Sequence, residues 1–157
     1  MTCSGSWDAE QVTGEDVIPT GLTFTVTYTN GQTADVTSSV TVSPAKWGAT
    51  AGSQTATFSY SENGETVTCE KAATVVDRVA TPEISCESNT VTITCATDGA
   101  SIYYTTDETT PTTSSTAYSD AITIEATTTF KALAAKASMA NSAVATAECE
   151  YVAPTEP

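Results

Sequence analysis

The chain has 157 residues, with 19 acidic against five basic side chains, a net charge of −14 and 39% hydrophobic residues. That length holds one domain of about 150 residues or two of about 75, and either can bury a core. So few cations leave no basic patch to neutralise phosphates, which excludes nucleic acid and anionic membrane as partners. The acidity reads as a solvated surface that resists aggregation, or as a face that docks onto a basic partner. No apolar run reaches 18 residues, so no transmembrane helix is expected. Residues 1–7 have neither a basic nor an apolar region of the kind a signal peptide needs. Three origins remain open: a chain made and used in the cytosol, a fragment of an exported protein with Met1 added, or a lipoprotein lipidated at Cys3.

Residues 1–17 read as an N-terminal arm, too short to fold alone, with Trp7 among acids. Such an arm is expected to dock onto a larger assembly and order there. Residues 18–77 read as a β-sandwich domain. Leu22, Phe24, Val26 and Tyr28 alternate with Thr23, Thr25, Thr27 and Thr29, which makes one face apolar and the other wet. Asn30-Gly31 then predicts a tight hairpin with positive φ at both central residues. Short strands follow at residues 33–36 and 40–42, a loop at 43–52, and a strand at 55–60. Glu62-Asn63-Gly64-Glu65 predicts a second hairpin into the strand at 66–70, and residues 73–76 close the set.

After a short linker at 77–82, a second sandwich is expected over 78–152. Its strands lie at 83–86, 90–95, 101–106, 121–125, 127–136 and 142–151, with a long polar loop at 107–117. The alanine-rich stretch 130–147 has helix propensity. Phe130, Ala132 and Ala134 nevertheless alternate, and no helical apolar stripe accompanies them, so strands are expected there. Residues 153–157 read as a flexible tail. The fold class is therefore all-β: two tandem Ig-like sandwiches with a short N-terminal arm.

The cysteines are Cys3, Cys69, Cys86, Cys95 and Cys149. No pair has CxxC spacing and the chain has no histidine, so no metal site is expected. A turn at 87–90 would put Cys86 opposite Val91, with Cys95 on the same face. The two read as buried small hydrophobes or as a disulfide with each other. Cys69 and Cys149 also fit inward positions.

The catalytic inventory is thin. Without histidine, neither a Ser-His-Asp nor a Cys-His arrangement can form. The carboxylate pairs Glu15-Asp16 and Asp107-Glu108 sit in loop-like contexts and read as solvated faces, and no glycine-rich phosphate cradle occurs. No catalytic residue and no cofactor are expected. The candidate binding surface is aromatic: Trp7, Trp47, Tyr103 and Tyr104, since exposed rings stack on sugars or fill a partner's pocket. Trp47 could instead plug one end of the sandwich, and Trp7 could anchor the N-terminal segment. Of Tyr103 and Tyr104, one should face the core.

Two resemblances add to this reading. Phe24-Thr25-Val26-Thr27-Tyr28-Thr29-Asn30-Gly31, Ala34-Asp35-Val36-Thr37, Val40-Thr41-Val42-Ser43-Pro44, Gly52, and Phe58-Ser59-Tyr60 leading into Asn63-Gly64-Glu65-Thr66-Val67 resemble the bacterial Ig-like domains of group 3. That resemblance implies a spacer or adhesive module of bacterial surface proteins or tailed-phage virion proteins. Ala100-Ser101-Ile102-Tyr103-Tyr104-Thr105-Thr106-Asp107, Pro111-Thr112, Tyr118, Ile122-Thr123-Ile124, the stretch from Thr127 through Ala134, and Ser142 resemble the C-terminal sandwich of chitobiases and hexosaminidases, also called a fibronectin-III-associated module. That family implies an accessory, non-catalytic module. Where it has Asp-Gly-Ser-Asp-Pro, this chain has Asp107-Glu108-Thr109-Thr110-Pro111, so its tight turn and any cation site there are not carried over.

The expectation is a non-enzymatic display protein, foremost an accessory virion protein of a tailed phage. It would be a capsid decoration or fibre-like component, assembled in the host cytoplasm, gripping a capsid or other virion protein and reaching toward host surface glycans. The alternative is a fragment of a secreted bacterial adhesin or carbohydrate-active enzyme, acting as a spacer or glycan-binding module.

Overall fold

A computed structural model of the protein describes residues 1–153, and it is all-β. Of the expected tail, residues 154–157 lie outside the described residues. The chain divides into two compact units, Met1–Asp77 and Arg78 onward.

In the first unit, Thr2–Gly5 (β1), Leu22–Thr27 (β3) and Thr33–Asp35 (β4) make a three-stranded sheet in the order β1-β3-β4. Gln11–Val12 (β2), Thr41–Ser43 (β5), Gly52–Glu62 (β6) and Glu65–Val76 (β7) make a four-stranded sheet in the order β2-β7-β6-β5. The alternation in β3 works as read: Leu22, Phe24 and Val26 are buried, while Thr23 and Thr27 are exposed. Phe24 from one sheet meets Phe58 from the other at 4.6 Å between ring centroids, and both are fully buried. Two apolar faces closing on each other in this way make a sandwich core.

The two asparagine-glycine turns differ. Asn63 (φ 52) and Gly64 (φ 86) are both left-handed, as a two-residue hairpin requires. Between β3 and β4 only Gly31 (φ 82) is left-handed. The Gly31 amide donates to the Tyr28 carbonyl, and the Tyr28 amide to the Gln32 carbonyl. That is a three-residue loop with glycine at its bulge position, wider than the expected two-residue turn.

Residues 1–17 do not form an arm. β1 pairs antiparallel with β3, Cys3 against Phe24, and β2 pairs parallel with β7. Lys71 Nζ donates to the Gly5 carbonyl at 2.7 Å, and Trp7 Nε1 to the Ala72 carbonyl at 2.9 Å. Gly5 (φ 90) and Gly21 (φ 79) cross so closely that a Cβ on either would run into backbone oxygen of the other segment. Glycine supplies both the positive φ and the clearance. The segment's apolar residues are too sparse for a separate core, but Met1, Cys3, Trp7 and Val17 suffice to complete an existing one.

In the second unit, Thr116–Ala117 (β11), Ser101–Thr105 (β10), Thr128–Ala135 (β13) and Ala145–Cys149 (β14) form a sheet in the order β11-β10-β13-β14. Ile122–Thr123 (β12), Thr90–Thr94 (β9) and Glu83–Glu87 (β8) form the other, in the order β12-β9-β8. The alanine-rich stretch is indeed extended: Phe130 pairs with Ala147 and Ala132 with Ala145. Phe130, Ala132 and Cys149 of this sheet pack with Val91 and Ile93 of the other.

Four cysteines pair, and not as expected. Cys3 on β1 is bonded to Cys69 on β7, and Cys86 on β8 to Cys149 on β14. Their Cα–Cα distances, 6.1 and 5.5 Å, lie within the usual range for a disulfide. Each bond joins the two sheets of its own unit. Cys86 does sit opposite Val91, as the turn implied. Cys95, however, falls four positions further along the same sheet, about 13 Å at the rise of a strand, out of reach of Cys86. Its thiol is free and donates to the Ala80 carbonyl.

Both tryptophans lie in the first unit, so their fluorescence reports on its unfolding alone. Replacing Cys3 and Cys69 together by serine should cost about 4 kcal/mol, from the chain entropy of the 66-residue separation. Urea unfolding followed by tryptophan emission should show the loss; an unchanged midpoint would show the bond adds nothing. Deleting residues 1–9 should destabilise the same transition, whereas a free arm could be removed without effect.

Candidate functional site

The expected aromatic surface is largely inward. Trp47 is 2% exposed, and its indole Nε1 donates to Gln11 Oε1 at 2.8 Å. Gln11 in turn donates from Nε2 to the Ala9 carbonyl, so the buried indole N–H is satisfied through the N-terminal segment. Trp7 packs edge-on against Trp47 at 5.6 Å and lies 6.2 Å from Phe58. Trp47 closes the core, and Trp7, half-buried, fastens the N-terminal segment to it.

Tyr104 turns toward the second core, 6.0 Å from Phe130 and edge-on to Tyr118 at 6.4 Å. Tyr103, its neighbour on β10, points to the opposite face of the sheet. There it is half-buried, opposite Ala117 and Leu133. Within the first unit Trp7 and Trp47 meet at the core, and within the second Tyr103 and Tyr104 take opposite faces of β10.

What the second unit does offer is a polar cleft of about 620 Å³ beyond the end of β10, lined by Tyr104, Thr105, Thr106, Asp107, Thr109, Ser114, Ser115, Thr116 and Ile122. Its rim is organised by Asp107. Oδ1 accepts from the Thr109 amide at 3.2 Å and the Thr109 hydroxyl at 2.6 Å. Thr105 Oγ1 donates to the Thr109 carbonyl at 2.7 Å. Lys131 Nζ donates to the Glu108 carbonyl. Glu108 (φ 65) takes the left-handed turn conformation that glycine adopts most readily. The Thr109 hydroxyl and amide together hold the Asp107 carboxyl below the ordinary aspartate value of 3.8. The cleft is a set of hydroxyls around one ionised carboxylate, suited to hydrogen-bonding a polyhydroxylated or otherwise polar ligand.

The first unit carries a smaller groove at the tip of the β6–β7 hairpin, beside Tyr28 and Tyr60. The alternation in β3 had placed Tyr28 with the apolar face, but it lies just past the strand and is 39% exposed. The signal that could have found this groove is the hairpin Glu62-Asn63-Gly64-Glu65, which sets two carboxylates beside Tyr60 and Val67.

Among the described residues, no three His, Cys, Asp or Glu side chains cluster as metal ligands would. No helix among them is long and apolar enough to cross a membrane. Residues 83–146 match the family model of the chitobiase/beta-hexosaminidase C-terminal domain. That match covers most of the second sandwich, including the cleft and the whole of β8 to β13. No curated protein matches the chain.

The Asp107 carboxyl should titrate below 3.8 in carbon-detected NMR, and Thr109→Ala should return it toward that value. Because the folded value is the lower one, this turn's contribution is complete above 3.8 and is lost as pH falls through the depressed value. An unshifted titration in the unsubstituted chain would contradict the turn's geometry.

Proposed function

We propose that this chain is a non-enzymatic display protein working at an extracellular surface, as part of a bacterial adhesin or a secreted carbohydrate-active protein. One observation carries the reading: each unit has its two sheets joined by a disulfide. Such bonds form and persist in oxidising surroundings and are rare in the cytosol. The match of residues 83–146 to an accessory domain of glycan-processing enzymes supports a non-catalytic role beside carbohydrate. In this reading the first sandwich is a bacterial Ig-like module of group 3, and the hydroxyl-lined cleft beside Asp107 contacts glycan hydroxyls.

A second reading places the chain on a tailed-phage virion, as a capsid decoration or fibre-like protein. The unpaired thiol of Cys95 favours it, since a leftover cysteine fits a chain first assembled in a reducing cytosol. The disulfides would then close on the released particle. A virion surface is also oxidising.

Antibody against the folded chain, used for immunogold labelling of intact producing cells and of particles from their lysate, separates the two. Label on the outer face of unbroken cells is the expected result. Label confined to phage particles would move the assignment to the second reading, and label only inside permeabilised cells would overturn extracellular display.

A further inference from the structure

The groove of the first unit has a composition that the display role does not call for. It encloses about 240 Å³ between Val26 and Tyr28 on one side and Tyr60, Glu62, Glu65 and Val67 on the other. Tyr60 faces Val67 across the β6–β7 ladder, and Glu62 faces Glu65 two pairs nearer the tip, on the same face of the hairpin. Like charges directly opposed on neighbouring strands are destabilising. Among the described residues neither carboxylate is ion-paired with a lysine or arginine. The Tyr28 hydroxyl donates to Glu62 Oε2 at 2.9 Å, which ties the ring to the acidic edge. Tyr28 and Val67 remain 39% and 38% exposed, so apolar surface is left open to water beside the two charges.

We propose that this groove binds a quaternary ammonium group of the choline type. Tyrosine rings attract cations through their negative faces, and such ligands are the usual occupants of aromatic sites edged by acids. The opposed carboxylates supply the charge that a cation would relieve and that a neutral sugar would not. The valines select among cations. A primary ammonium would lose water from three donors against Val26 and Val67, whereas a trimethylammonium has no donors to leave unpaired. The net charge of −14 raises the local concentration of any cation near the surface. The hydrogen bond it donates to Glu62, with burial, the Glu62 charge and the nearby Tyr60 hydroxyl adding to the effect, holds the Tyr28 hydroxyl above its ordinary 10.0, so it stays a donor at neutral pH.

The test is an amide-resolved NMR titration of the whole chain at fixed ionic strength. The probes are choline chloride, its neutral carbon isostere 3,3-dimethyl-1-butanol, lysine and N-acetylglucosamine. Choline should give saturable shifts centred on Asn63, Gly64 and Val67, and the neutral isostere should bind about tenfold more weakly. Tyr28→Ala and Glu62→Gln should each weaken choline roughly 3- to 30-fold. The second keeps the side chain's shape, and a dispersed spectrum checks the folding of both. Glu125→Gln, which removes an exposed acid in the other unit, should leave binding unchanged. Shifts that do not saturate, equal binding of choline and its isostere, tighter binding of lysine or the sugar, or loss of binding in Glu125→Gln would each overturn the proposal.

Discussion

Each sandwich in this protein is closed by one covalent bond between its two sheets, and much else in the structure follows from where those bonds fall. Cys3 sits opposite Phe24 and Cys69 opposite Phe58, so both sulfurs share the inward faces on which the two phenylalanines meet. In the second unit Cys86 sits opposite Val91 on an edge strand, and Cys149 ends the edge strand of the other sheet. A unit of this size buries a modest core, and a bond that removes entropy from the unfolded chain is an efficient supplement.

The first bond also explains the N-terminal segment. Once Cys3 is fixed to β7, the segment from Met1 to Val17 runs along the sandwich edges as β1 and β2, and Trp7 and Val17 fall onto the core. Trp47 then finds its hydrogen-bond partner in Gln11, a residue of that same segment. Both tryptophans are thereby committed to structure. The cleft of the second unit and the groove of the first use tyrosine, hydroxyl and carboxylate side chains.

How much of this was legible in the sequence depended on whether the signal was local. Period-two alternation in Leu22–Thr27 and around Phe130 needs only neighbouring residues, and both strands formed as read. Asn63-Gly64 likewise carries its turn in two residues. The disulfide partners are separated by 66 and 63 positions, and pairing them requires the strand order, which cysteine spacing does not encode. The same holds for residues 1–17, whose sparse apolar content looks like an arm until the strands that receive it are known. The tyrosine groove was hidden by a parity rule applied one residue too far: β3 ends at Thr27, and Tyr28 escapes the alternation. The Asp107 turn was hidden because Glu108 takes a left-handed conformation that glycine adopts most readily.

The central claim is that the two sheets of each unit are joined by a disulfide. Peptide mapping by mass spectrometry decides it most directly, on protein isolated from its natural source and alkylated before digestion without reductant. The account predicts one cross-linked peptide joining Cys3 to Cys69, another joining Cys86 to Cys149, and alkylation at Cys95 alone. A Cys86–Cys95 cross-link, or alkylation of all five cysteines, would contradict it.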